Sequence, residues 1–287
     1  VTLSYDWGNP IDNAYDFTTS AIPMGRRDGD GGLIQASAAT SGLYFNFVAM
    51  PGSKNRIGLY FNFNLTGNGY GFNLYYAYIK YRGFTAGYDF SLFSDMAAAP
   101  PSIDNEGPCG FTAIPNTVID YRHSFDSHWS IGAGAELPMV SATTGQNSYV
   151  VKQRVPDIPA YIQYSWGGGK SWIRLSGIVR NMIYRDEVAD RNRDQVGWGV
   201  KMSGSASLSG FVTAYYQAAY GQGITSYFQD LYQGGLDMVP DGAGRLKPVG
   251  AWGGYLGLQY NISPAVYATT TYSHLRNYAG RYAGGST

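Results

Sequence analysis

Along most of the chain apolar side chains recur at every second position, the period of a strand with one greasy and one wet face. In Gly58-Leu59-Tyr60-Phe61-Asn62-Phe63-Asn64, Leu59, Phe61 and Phe63 share one face; Gly58, Tyr60, Asn62 and Asn64 take the other. Ala86, Tyr88, Phe90 and Leu92 likewise oppose Thr85, Gly87, Asp89 and Ser91. Trp129, Ile131, Ala133 and Ala135 alternate with Ser130, Gly132, Gly134 and Glu136, and Trp252, Leu256, Leu258 and Tyr260 oppose Tyr255, Gln259 and Asn261. Read throughout, the pattern predicts about thirteen strands, near 1–7, 36–50, 55–64, 71–82, 84–93, 116–125, 128–137, 157–166, 170–182, 196–207, 210–220, 249–262 and 265–278.

The connections carry more information than the strands. Links after even-numbered strands are short: 51–54, 83, 126–127, 167–169, 208–209 and 263–264. Links after odd-numbered strands are long, at 8–35, 94–115, 138–156, 183–195 and 221–248, with 65–70 as the short exception. A soluble sandwich has no reason to sort loop length by parity, whereas an outer-membrane barrel has short periplasmic turns and long external loops. Aromatic residues gather at the short-turn rim (Tyr81, Phe84, Phe125, Trp129, Tyr164, Trp166 and Tyr260), as an interfacial girdle requires. The expected fold is all-β, a transmembrane antiparallel β-barrel occupying 1–287 as one domain. Single-chain bacterial barrels have even strand counts. The odd count, and an end at Gly284-Gly285-Ser286-Thr287 inside what should be a long loop, lead us to expect three or so further C-terminal strands beyond this sequence.

Composition fits this reading. Of 287 residues, 39 are Gly and 26 Tyr, only 14% are charged and the net charge is zero, so no nucleic-acid partner is indicated. No stretch approaches the ~18 consecutive apolar residues of a membrane helix, but a barrel strand needs only ~9–11 residues with one apolar face. The single cysteine, Cys109, permits no internal disulfide and no Cys-based metal cluster.

Several longer segments are distinctive: Arg82-Gly83-Phe84-Thr85-Ala86-Gly87-Tyr88, Ser91-Leu92-Phe93-Ser94-Asp95, Ile103-Asp104-Asn105-Glu106-Gly107-Pro108 and Arg154-Val155-Pro156-Asp157-Ile158-Pro159. Ser171-Trp172-Ile173-Arg174-Leu175-Ser176-Gly177 and Ser226-Tyr227-Phe228-Gln229-Asp230-Leu231-Tyr232 complete the set. Together they resemble the DcaP-like trimeric porins, in the form found in Bacteroidetes. The resemblance spans nearly the whole chain. It implies a sixteen-strand barrel, a homotrimer, passive diffusion of small hydrophilic and often anionic organic solutes, and a pore-constricting loop after the fifth strand, here 94–115.

With the polar face of each strand turned inward, the charged lumen candidates are Arg56, Lys80, Asp120, Arg122, Glu136, Arg174, Arg180 and Lys201, joined by the wall tyrosines Tyr76 and Tyr78. Ile173, Leu175 and Val179 then face lipid, opposite Arg174, Ser176 and Arg180, although Ile178 interrupts the polar series. An arginine on lipid at mid-bilayer costs ~2–4 kcal/mol, which fixes the inward choice. Six of the eight charged candidates are basic, and a low-dielectric tube focuses such an excess into a preference for anions. Asp95, Asp104 and Glu106 in the constriction loop could pair with wall arginines and set a transverse field.

Competing chemistries are weaker. The mixed-charge run Arg185-Asp186-Glu187 with Asp190-Arg191 and Arg193-Asp194 suits an outer-face loop meeting lipopolysaccharide and its divalent ions better than a metal site. Gly167-Gly168-Gly169-Lys170 lacks the rest of a phosphate loop and reads as a hairpin. His123, His128 and His274 form no metal-ligand spacing; Ser273 and His274 point to opposite faces, and no Gly-x-Ser-x-Gly is present, so no enzyme, cofactor or metal is expected. The alternative is a barrel scaffold or adhesin whose long Tyr- and Gly-rich loops, 8–35 and 221–248, bind a partner without transport.

Overall fold

The computed structural model describes residues 2–6, 32–102 and 106–281. One antiparallel sheet dominates. Its path runs β3 (Gly42–Ala49), β4 (Ile57–Gly67), β5 (Gly71–Tyr81), β6 (Phe84–Phe90), β7 (Pro115–Ser124) and β8 (Trp129–Glu136). It continues through β10 (Ile158–Trp166), β11 (Ser171–Asp186), β12 (Arg191–Ser207), β13 (Val212–Gln222), β16 (Gly250–Ser263) and β17 (Val266–Asn277). The short β9 (Ser148–Val150) joins the far end of β11 as the thirteenth strand.

Two small ladders lie apart. β1 (Thr2–Asp6) pairs with β2 (Leu33–Ser37), so the first expected strand belongs to a separate two-stranded sheet. β14 (Met238–Pro240) pairs with β15 (Leu246–Pro248) inside the expected loop 221–248. Of the loop 8–35, residues 8–31 lie outside the described residues.

Neighbouring strands pair in sequence order, as hairpin connections dictate. The tightest turn, Arg82-Gly83, has φ of 48° and 87°, the two left-handed residues of a type I′ turn matched to strand twist. At the next turn Asp126 accepts hydrogen bonds from the amides of His128 and Trp129, both at 2.7 Å, and fixes the reversal between β7 and β8. One expected loop is corrected. Residues 183–195 are mostly strand, because β11 and β12 run on to Asp186 and Arg191 and leave only a four-residue turn, 187–190. Ion pairs, Arg193 to Asp186 at 2.6 Å and Arg185 to Asp190, stitch this extension, so its charge marks a paired hairpin and not an irregular loop.

The alternation holds in three dimensions. On β11 Leu175 and Val179 are 54% and 57% exposed, whereas Ser176, Ile178 and Arg180 are buried on the opposite face. Outward apolar positions continue through Ile119, Ile131, Ile162, Val200, Met202, Leu256 and Leu258, the pattern of a wall solvated by acyl chains. Rings bound this band. At the short-turn rim Phe84 meets Tyr121 (4.8 Å), Trp129 meets Tyr164 (4.9 Å) and Phe211 meets Tyr260 (5.5 Å); toward the other rim Trp198 meets Tyr220 (5.7 Å). Trp252 and Tyr260 face outward on one strand, eight residues apart. That separation is about 27 Å along the strand and about 21 Å along a membrane normal at ~40° tilt, close to the apolar height of an outer-membrane barrel.

The sheet is curved. The segment 91–114 leaves β6 and touches β11, β12, β13 and β16, a reach that only a wall curling round it permits. β3 and β17 are its edges, and no ladder joins them among the described residues.

Candidate functional site

The inward face is divided into a sealed half and an open half, and loop chemistry decides which is which. β6 ends at Phe90, and the following segment turns inward at once: the Leu92 amide donates to Glu136 Oε1 at 2.6 Å. Asp95 is the main anchor. It accepts from Ser203 Oγ (2.7 Å) and Trp172 Nε1 (3.1 Å) and pairs with Arg174 (3.4 Å). Lys201 donates to the Phe93 carbonyl and to Thr112 Oγ1 (3.0 Å), Gln217 to the Gly110 carbonyl (2.8 Å), and the Tyr255 hydroxyl to the Ala98 carbonyl (3.0 Å). At the loop tip Gly110 has φ of +77°, and a Cβ there would sit 2.8 Å from the His274 carbonyl oxygen and 2.9 Å from the Gly254 nitrogen, so only glycine lets loop and wall backbones meet.

A second segment, 223–249, lies over the first. Phe93, Ile178, Ala219, Ile224, Tyr227, Phe228 and Ala251 form a buried apolar cluster between the two loops and the wall. This explains the apolar interruption at Ile178: it faces loop, not water. Arg180 is 1% exposed and pairs with Asp157 (2.9 Å) and Asp237 (3.2 Å), while donating to the carbonyls of Gly223 (2.6 Å) and Met139. Tyr227 donates to Asp157 at 2.9 Å and lies 3.3 Å from Glu136. One arginine of β11 thereby ties the connection that leads into β10, through Met139 and Asp157, to the second loop, through Gly223 and Asp237.

Three expected pore-lining residues are corrected on these grounds. Glu136, Arg180 and Lys201 do point inward but lie buried under the folded-in segments, which they hold against the wall. Among the loop carboxylates, Asp95 pairs with a wall arginine as expected; Glu106 instead accepts from Gln229 of the second loop (2.9 Å), and Asp104 lies outside the described residues.

The open half faces β4 to β7. Tyr78, Lys80, Asp89, Arg122 and Arg174, with loop residues Ser94, Asp95 and Met96, line a cavity of about 280 Å³. A second cavity of about 360 Å³ lies toward the short-turn rim and shares Lys80 and Arg122 with the first, so the two form one route; Arg56 belongs to it. Tyr76, Tyr78 and Tyr60 make a ring ladder along this wall, with centroid separations of 5.3 and 5.1 Å. The Lys80 ammonium sits 4.9 Å from the centre of the Tyr78 ring. Arg122 is held by Asp120 at 2.8 Å, with Asp89 3.9 Å away. The structure therefore brings together Arg56, Tyr76, Tyr78, Lys80, Asp120, Arg122 and Arg174. Sequence reasoning missed Tyr60 and Asp89, both legible from parity with Asn62 and Thr85, and also Asp157 and Asp237, whose places in loops give no periodic signal.

An antiparallel wall with an apolar outer belt, ring-bounded rims and a polar interior narrowed by its own loops defines an outer-membrane β-barrel channel. A family model described as a porin subfamily matches residues 39–283, and the chain belongs to that family. Among solved structures it resembles the outer membrane channel DcaP of Acinetobacter baumannii, with a TM-score of 0.81 at 20% identity over 98% of this chain and 78% of that one. Weaker likenesses are to OmpT of Vibrio cholerae (TM-score 0.42, 12% identity, 87% of this chain and 82% of that one) and to an anion-selective porin from Comamonas acidovorans (0.38, 16%, 86% and 82%). No curated protein matches. The protein is a porin of the bacterial outer membrane, and its fold is that of the DcaP channel.

Proposed function

We propose that this porin lets small hydrophilic solutes diffuse passively and favours anionic organic ones, as a homotrimer embedded in outer-membrane lipid and lipopolysaccharide. One observation carries the reading: Lys80, Arg122 and Arg174 converge on a single cavity beside the folded-in loop. The facing carboxylates are already engaged, Asp95 by Arg174, Ser203 and Trp172, and Asp89 near Arg122. In that lining three cations outnumber the two carboxylates, Lys80 has no ion-pair partner among the described residues, and the Tyr78 ring lies beside them for a solute's organic part. The folded-in loops narrow the route and keep it wet, which suits diffusion and not tight capture.

Reversal potential under a KCl gradient across a planar bilayer is the test. Cl⁻ preference is expected, and joint replacement of Lys80 and Arg174 by Gln should lower it about fivefold, on the order of 1 kcal/mol of lumen potential. Preference for K⁺ rejects the anion reading. An absence of conductance steps favours a sealed scaffold, and three-step closure supports the trimer.

A further inference from the structure

Some basic side chains pair with carboxylates, Arg180 with Asp157 and Asp237, Arg185 with Asp190, Arg193 with Asp186 and Arg245 with Asp241. Among the described residues, others such as Lys152, Lys170 and Arg276 have no ion-pair partner but stand singly, whereas at the short-turn mouth several cations gather in one place. Lys54, Arg56, Lys80, Arg82 and Arg122 line the same cavity of about 360 Å³, and no carboxylate belongs to its lining. Among the described residues, only Arg122 of these five has ion-pair partners, Asp120 at 2.8 Å and Asp89 at 3.9 Å, and neither lines this cavity. The others lean on neutral groups. Arg56 donates to the Tyr60 hydroxyl (3.4 Å), Arg82 Nε to Asn55 Oδ1 (3.1 Å), and Lys80 lies over Tyr60 and Tyr78. Asn55 and the tyrosines orient these cations without cancelling their charge.

Four uncompensated cations around one concavity repel one another, and a clustered negative charge in the middle relieves all four at once. A single chloride balances one. A compact oxyanion bearing several charges balances more, and the guanidinium forks of Arg56 and Arg82 match the oxygen geometry of phosphate and carboxylate groups. We infer that the periplasmic mouth holds a binding station for multivalent oxyanions, separate from the constriction, which loads from the periplasmic side. The station rests on the reading of the lumen as a conducting pore, but it requires no overall preference for Cl⁻ over K⁺.

Inorganic triphosphate added to one side of the single channel at a time is the probe. Block is expected at about tenfold lower concentration from the side of the short turns than from the loop side, where the folded-in segments stand in the way, and it should weaken as salt rises. Lys54→Ser with Arg56→Ser should remove the difference between sides, whereas the charge-keeping pair Lys54→Arg with Arg56→Lys should retain it. Equal block from both sides, or unchanged sided block in the Ser variant, overturns the station. If the channel prefers K⁺ yet keeps the sided block, the anion-diffusion reading falls and the station stands. Cl⁻ preference without sided block leaves the diffusion reading standing and removes the station.

Discussion

Arg180 shows how one residue on a strand can serve a loop. Its guanidinium is buried among two carboxylates and two carbonyls, so removing it leaves Asp157 and Asp237 as uncompensated buried charges. Arg180→Met should destabilise the folded protein by about 3–5 kcal/mol, the usual cost of breaking a buried pair by deleting one partner. The readout is the midpoint of denaturant unfolding in detergent, accompanied by noisier open-channel current as the 223–249 segment loses its tie to the wall. A midpoint shift below about 1 kcal/mol would show that the node is not structural. Arg180 also shows where residue-scale reading of a sequence fails. Alternation gives the face of a side chain, and it places Tyr76, Tyr78, Lys80 and Arg122 beside the open route. It does not say whether that face meets water or a folded-in loop, because both environments accept arginine when partners are present. The available warning is apolar: Ile178 interrupts a polar series, and Phe93, Ile224, Tyr227 and Phe228 stand in segments that otherwise read as loops.

At the scale of elements, short turns are fixed by local chemistry and long connections by tertiary contact, and this sets what each shows in the sequence. The turn at 125–128 is local. Its Asp126 carboxylate accepts from the amides of Trp129 and His128, and these bonds hold its pKa below the ordinary aspartate range. A depressed carboxylate stabilises the turn at pH above its ordinary value, and the contribution disappears as pH falls through the lowered one. Amide exchange, corrected for its intrinsic pH dependence, should therefore show His128 and Trp129 protected at neutral pH and losing protection only below the ordinary aspartate range; loss beginning near pH 6 would contradict the assignment. The 91–114 segment is the opposite case. Its course depends on Ser203, Lys201, Gln217 and Tyr255, which lie 89 to 157 residues downstream of the atoms they hold. Family resemblance implies its inward fold, whereas period-two patterning says nothing of it. The departure at 183–195 has a related cause: a charged run reads as loop, although charges at alternate positions also suit strands that project beyond lipid.

For the whole molecule, a net charge of zero conceals a strong internal sorting. Carboxylates clamp loops, rim hairpins and the wall arginines Arg122 and Arg174, while Lys54, Arg56, Lys80 and Arg82 at the short-turn mouth have no ion-pair partner among the described residues. The outer surface carries the reverse specialisation, an apolar belt between two sets of rings. The wall of β5 joins both surfaces in one strand, with Tyr76, Tyr78 and Lys80 directed to the lumen and Ala77 and Ile79 to lipid. Single cysteines at these five positions, in a Cys109→Ser background, treated with a water-soluble thiol reagent during single-channel recording, test the account most directly. Modification that lowers conductance is predicted at 76, 78 and 80 and not at 77 and 79. Equal reactivity at both parities, or the reverse order, would contradict a water-filled lumen on this face of the wall.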